Sequence, residues 1–521
     1  MPPVAAAPAR RGGERGAPRR LAFVCRSPAV HTHPGRGMGG RQGMSRDSQV
    51  PGFAVVGRPN KGKSSVVATL ARDDSVHIAA AAGSTRDVRR FPMRVDGETL
   101  YELVDTPGMQ RARQVLAWLR EHCQDAAARP AAVRQFLLEH RDDAQFADEV
   151  HALEPVVAGA GIIYVVDGSV PFGADYEAEM EVLRWTGRPS LALVNPIENS
   201  DYVEQWVTGL GQYFQTVRVF DAHRAEHHKQ LELLSLFGHL DPEWQQPLQR
   251  AVSVLRADRE RQHLEAAEAI ALMVEEGITY SVSQALPEGA PEAPVKKLLY
   301  NRYCRHLIRR ERQCREQVEA LFYYRELKTA EAGMDFDEEE LFDQENWYLW
   351  GLSQRQLLVA AGAAGGIAGG SAGMVVDGMA GGLLHGLGTL AGGIGGAIAS
   401  SRQVLRRSED IARWTVSGIP TGGRRLVYGP SRNLNFPFVL LGRALQHHRQ
   451  VSQRTHAVRG ALKLDEPVLD WLDDSQRRKL ALIFEDLRRG RRVDQRRSEL
   501  VGLLRAWCLA ADHAESSSSS R

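Results

Sequence analysis

Phe53-Ala54-Val55-Val56, then Gly57-Arg58-Pro59-Asn60-Lys61-Gly62-Lys63-Ser64, then Ser65-Val66-Val67-Ala68-Thr69-Leu70, read as a strand, a glycine loop and a helix. That is the setting a phosphate-binding loop needs. Its backbone N–H groups wrap an anion, and the positive end of the following helix faces the same charge. In this pattern Lys63 reaches the β- and γ-phosphate oxygens, and the Ser64 hydroxyl ligates Mg²⁺. Gly57, Asn60, Lys61, Gly62, Lys63, Ser64 and Ser65 are therefore the candidates for holding a nucleoside triphosphate.

Working outward, 521 residues allow about three domains, and 43% hydrophobic with 25% charged residues is an ordinary globular balance. The net charge of +2 is unevenly spread, because residues 1–50 hold nine Arg against Glu14 and Asp47. That segment reads as a disordered basic extension, or as sequence ahead of a true start at Met44. It has no signal-peptide core, and no strong nucleic-acid signal runs through the chain. The five cysteines form no C-x-x-C pair and no even framework, which fits a reducing compartment.

Downstream of the loop lie Gly83-Ser84-Thr85-Arg86-Asp87, then two strand-like runs joined by Asp96-Gly97, a hairpin signal. The second run ends in Asp105-Thr106-Pro107-Gly108. An acidic residue at such a strand tip holds Mg²⁺ through water, and Gly108 can give its N–H to a γ-phosphate because no side chain blocks the approach. Later strands are expected at Gly161–Asp167 and Ser190–Asn195.

These motifs, P-N-x-G-K-S-S, G-S-T-R-D and D-T-P-G in this order, resemble the Era/Der-type bacterial P-loop GTPases over about residues 52–225. The whole chain also resembles bacterial predicted GTPases with a long uncharacterised C-terminal region. The resemblance implies GTP as substrate, Mg²⁺ as cofactor, and Thr85 in a first switch completing the Mg²⁺ shell. It further implies K⁺ held by Asn60, supplying charge where an arginine finger otherwise acts. Lys63, Thr85 and Gly108 become the catalytic residues, and Ser64, Thr85 and Asp105 the Mg²⁺ ligands. Met109 stands where many GTPases place a water-orienting glutamine, so slow hydrolysis is expected. Arg58 and Arg86 are competing candidates for that charge, with a solvated surface arginine the favoured reading for each.

The base-reading motif departs from the family. Asn195-Pro196-Ile197-Glu198 keeps Asn195 and a carboxylate at Glu198, but Pro196 replaces the lysine that covers the base. Asp221-Ala222-His223 keeps only Ala222, whose N–H can meet the base carbonyl. GTP against ATP is left open by these residues.

The expected fold is an α/β P-loop G domain with a mostly parallel sheet at 51–240, carrying a helical pair inserted at about 110–155. A helical region at 241–350 follows, then a glycine-rich hairpin at 355–401, a helical C-terminal region at 402–512 and a disordered tail at 513–521. Fifteen of the 43 residues in 357–399 are glycine, with Asp377 the one acid. Glycines four apart let helix backbones approach closely, as in membrane helix pairs or glycine-packed soluble ones. If the hairpin enters a membrane, Arg402, Arg406 and Arg407 after it are expected to keep both ends on the cytoplasmic side. Expected partners are a guanine nucleotide, membrane lipid and a second copy of the chain, with the effector unidentified. The expected location is the cytoplasmic face of the inner membrane, or the cytoplasm. Two other classes are a nucleotide-binding scaffold with negligible turnover and a glycine-zipper membrane oligomer gated by the G domain. His447 and His448, adjacent in a helix, are expected to point to different sides.

Overall fold

The computed structural model describes residues 50–76, 88–324, 327, 351–353, 356–357, 412–418, 424–458 and 469–513. The glycine-rich hairpin beyond Leu357, Thr85 and Arg86 lie outside these described residues.

β1 (Gly52–Val56) leads into α1 (Lys63–Ala71), and β2 (Arg89–Val95) and β3 (Glu98–Asp105) form the expected hairpin. Asp96 and Gly97 both take positive φ, 49° and 84°, the two-residue turn whose twist matches the flanking strands. Then come α2 (Ala112–His122), α3 (Arg129–Glu139), α4 (Ala147–Val157), β4 (Gly161–Asp167), α5 (Ala174–Trp185), β5 (Ser190–Asn195), α6 (Val203–Leu210), β6 (Val217–Val219) and α7 (His227–Leu240). The sheet order is β2-β3-β1-β4-β5-β6, parallel throughout except for β2.

The period of two along the strands builds two cores. Phe53 and Val55 join Ile163, Val165, Leu191 and Leu193 beneath α1 and α7. Ala54 and Val56 join Ile162, Tyr164, Val166, Ala192 and Val194 beneath α2 to α6. A sheet covered on both faces explains why these strands are continuous apolar runs.

The insert contains three helices where a pair was expected. The segment at Ala147–Val157 carries Pro155 and few strongly apolar spacings, yet Val150, Leu153 and Val156 are buried.

α8 (Pro242–Thr279) has 38 residues, about 57 Å of helix at 1.5 Å per residue. Its first turns place Trp244, Leu248, Val252 and Leu255 in the G-domain core, and its later turns place Ala266, Ile270, Val274 and Ile278 in a separate core. One continuous helix thus belongs to both parts. The second core is completed by β7 (Val282–Leu286), α9 (Glu292–Leu321), β9 (Arg424–Ser431), α10 (Phe436–Gln453), α11 (Asp474–Arg488) and α12 (Val493–His513), and β8 (Ala412–Gly418) pairs along β9. On α9, Leu299, Tyr303 and Leu307 are buried as their spacing requires. The three strands pair antiparallel in the order β7-β9-β8, a small sheet that the sequence reading did not include. Within this core Glu311 and Arg443 form a buried ion pair at 2.7 Å. His447 meets Glu319 and His448 meets His263, so the two histidines do go to different partners.

Candidate functional site

The phosphate-loop motif is shaped by three left-handed residues. Gly57 has φ 141°, Asn60 φ 59° and Gly62 φ 82°. Gly62 is the N-cap of α1, and a Cβ there would run into the Asn195 side chain. A Cβ on Gly57 would meet the Val165 carbonyl, and one on Gly108 would meet Pro59. Glycine is therefore required at all three positions by close approach, which binds the loop to β4, to the end of β5 and to the segment after β3.

At the metal end, Ser64 Oγ donates to Asp105 Oδ2 at 2.9 Å. Asp105 is buried at the tip of β3, and next to it Thr106 Oγ1 donates to Val55 O at 2.8 Å, fixing that tip against β1. A hydroxyl and a carboxylate oxygen converging at a helix N-terminus are hard donors, the set Mg²⁺ takes when it keeps several waters. The donors present therefore fit the ion.

Lys63 is buried, and its Nζ donates to Arg58 O at 2.9 Å. Burial lowers its pKa to about 8 against the opposing pull of Asp105, Glu179 and Asp148. Lys61 Nζ lies 3.3 Å from Asp167 Oδ2 at the end of β4. Arg58 is not the solvated residue expected. Its Nε is 3.4 Å from Glu179, its guanidinium lies over the Tyr176 ring at 5.1 Å, and both partners sit on α5. Nothing local in the sequence marks Glu179, which is buried, accepts from Tyr164 Oη at 3.0 Å and has its carboxyl pushed up to about 8 by burial.

Beyond Gly108, Met109 is fully buried in the core beneath α2 to α6. Gln110 and Arg111 give their backbone N–H groups to Glu149 Oε1 at 2.8 and 2.6 Å, and Gln110 Nε2 donates to Asp148 at 2.9 Å. The insert helix α4 thus grips the segment that carries Gly108. Glu149 was missed because a buried carboxylate 39 residues from its partner leaves no local pattern.

At the base end, Asn195 is buried and its Oδ1 accepts from Ala222 N at 3.2 Å. Ala222 in turn accepts from Thr69 Oγ1 of α1 at 2.8 Å. Asn195 therefore joins the phosphate loop to the 222 loop, while Glu198 is exposed on the loop after β5. The structure brings together Gly57–Ser65, Asp105, Gly108, Asn195 and Ala222.

Comparison with known proteins finds two family matches, and their boundary falls within the G domain, at α6, rather than between the two cores. Residues 52–195 match the family described as "50S ribosome-binding GTPase", and residues 208–501 match one described as "Domain of unknown function (DUF3482)". Among curated proteins, GTPase Der of Alkaliphilus metalliredigens is 38% identical over 74 residues, 14% of this chain and 17% of that protein. GTPase Der of Prochlorococcus marinus is 27% identical over 209 residues, 39% of each chain. The matched stretches are thus a minor part of these relatives' length. Among solved structures, Aquifex aeolicus Era bound to GDP·AlF4⁻ aligns with 52% of this chain and 89% of its own, at 14% identity and a TM-score of 0.26.

Proposed function

The chain belongs to the DUF3482 family, with an Era/Der-type P-loop GTPase domain ahead of that family's region, and on that premise we propose that it is a Mg²⁺-dependent GTP-binding switch that hydrolyses GTP slowly. The observation that carries this is the Ser64–Asp105 contact at 2.9 Å beside a loop with three left-handed residues.

Ser64 and, through water, Asp105 would hold Mg²⁺ together with Thr85, and the ion would supply neutralisation of the β- and γ-phosphate oxygens. Lys63 binds those oxygens, exchanging its Arg58 carbonyl for an anion that restores its full charge. Gly108 offers its backbone N–H to the γ-phosphate, and the Gln110–Glu149 contact ties that position to α4. With Met109 buried, no side chain at that position orients the attacking water, so turnover is slow. Asn60 supplies a ligand for K⁺, and rate enhancement in K⁺ over Na⁺ follows. Asn195, Glu198 and Ala222 form the base end. The missing lysine at Pro196 makes discrimination of GTP from ATP weaker than that of phosphate from no phosphate.

A membrane contact through the glycine-rich segment is part of the proposal on sequence grounds alone. Among the described residues no helix is long and apolar enough to cross a membrane. Alkaline extraction of membranes tests it, since release of all the protein would remove that part. The switch itself is tested by phosphate release from GTP and ATP by the full chain in K⁺ and in Na⁺. GTP turnover stimulated by K⁺ is expected. Binding without turnover in either salt would leave a nucleotide-binding scaffold instead.

A further inference from the structure

α1 starts at the phosphate loop and ends at Arg72, which caps it in the left-handed conformation, φ 50° and ψ 47°. Beyond Arg72 opens a cavity of about 370 Å³. Its walls come from the start of α7, the middle of α8 and the ends of α9 and α10. That volume falls in the range of small-molecule sites, roughly 300 to 1,000 Å³.

Guanidiniums outnumber carboxylates in the lining, and three of them are held in place by protein groups, Arg72 by His227, Arg259 by Ser452 O and Arg454 by Val458 O. Arg72, Arg256, Arg259 and Arg454 face it, against Glu226 and Glu260. Asp258, buried behind the wall, serves both Arg72 at 3.6 Å and Arg261, and accepts from Tyr323 Oη at 2.9 Å. One carboxylate is thus divided between two guanidiniums. Arg259 lies near enough to Arg72 to repel it, adding to burial in holding that guanidinium below its ordinary pKa. Arg259 is also seated over the Phe322 ring at 4.8 Å, which fixes its guanidinium beside the cavity. Arg256 is exposed on the rim and forms no ion pair among the described residues. His227 opens α7, so a helix N-terminus adds to the positive potential. Tyr323 and Tyr324 supply aromatic surface, the latter stacked on His456 with centroids 4.3 Å apart.

We propose that this cavity is a second anion site, separate from the phosphate loop, that binds a phosphate-bearing small molecule of about mononucleotide size. Guanidinium groups pair with phosphate through parallel N–H bonds, and several around one cavity give affinity that a scattered surface does not. Two elements connect its walls to the nucleotide machinery. Arg72 terminates α1, and Thr455 Oγ1, next to the lining residue Arg454, donates to His223 O at 3.2 Å in the 222 loop.

The test uses the full chain carrying Lys63→Ala, so that the phosphate loop does not contribute, titrated calorimetrically with pyrophosphate and with GMP. At least one probe is expected to bind, and adding Arg256→Glu is expected to weaken it by about tenfold or more. Arg259→Gln is expected to act in the same direction. Because Arg256 is exposed, its substitution leaves the packing intact, which an unchanged thermal unfolding midpoint verifies. Absence of binding by both probes, or binding unchanged by Arg256→Glu, overturns the proposal. Neither result bears on whether the unmodified phosphate loop binds GTP.

Discussion

Replacing Glu149 by Ala should loosen the segment that follows Gly108. Glu149 is fully buried on α4, and its Oε1 accepts from Gln110 N and Arg111 N at 2.8 and 2.6 Å, where α2 begins. Two hydrogen bonds to a charged acceptor contribute about 1.5 to 3 kcal/mol each. The low end applies, because Oε2 is buried with no hydrogen-bond partner among the described residues, and truncation recovers its desolvation cost. The opening free energy of this segment should therefore fall by about 3 kcal/mol, which is roughly a hundredfold in an equilibrium constant. Native-state hydrogen exchange reads this directly, as faster exchange at Gln110 and Arg111. Glu149→Gln keeps an acceptor at the same place and should recover much of the protection. Unchanged exchange at both amides in Glu149→Ala would refute the idea that α4 holds this segment.

Arg443→Met should cost about 3 to 5 kcal/mol in urea unfolding, because it leaves Glu311 buried without its charge partner. The double variant Arg443→Met with Glu311→Leu should recover most of that loss, and failure to do so would mean the pair does more than neutralise itself. Glu179 gives a pH signature. The folded carboxyl keeps its proton up to about pH 8 despite Arg58 at 3.4 Å, whereas the unfolded one releases it near 4.5. Its contribution is therefore greatest at low pH and is lost as pH rises through that window. Comparing urea midpoints at pH 6 and 9, Glu179→Gln should flatten the fall between them, and an identical fall in both chains would contradict the assignment. Gly62→Ala should abolish nucleotide binding, because it forces a left-handed alanine against Asn195, with a conformational cost of about 1 to 2 kcal/mol before the clash is counted. Normal binding by this variant in a filter assay would show that the loop is not under that constraint.

Where the sequence was readable, the physics was local. The phosphate loop needs left-handed residues and a helix start within eight positions, and Gly57, Asn60 and Gly62 sit where that demand falls. The Asp96-Gly97 turn and the apolar runs of β1, β4 and β5 declare themselves by the same short-range logic. Contacts between distant elements were not readable. Arg58 finds Glu179 only because α5 crosses beside the loop, and Glu149 finds Gln110 only because α4 returns to the segment before α2. Strand β7 is five residues, Val-Ser-Gln-Ala-Leu, lying between two long helices, and its partner β9 is more than a hundred residues away. No periodicity of that length separates it from a loop. At the base end the difficulty was chemical. Asn195 is placed by its bond from Ala222, whereas Glu198 is exposed on the loop after β5, so no packing fixes the carboxylate that guanine N1 and N2 would need.

On the proposed function, Lys63, Ser64 and Asp105 form the Mg²⁺-triphosphate end of a GTP site. Equilibrium binding of labelled GTP and ATP to the full chain, with and without Mg²⁺, compared between the unmodified protein and Lys63→Ala, tests it most directly. Mg²⁺-dependent binding of GTP that disappears in Lys63→Ala is the predicted result. Absence of binding by either nucleotide, or equal binding by Lys63→Ala, would mean that these three residues do not form that site.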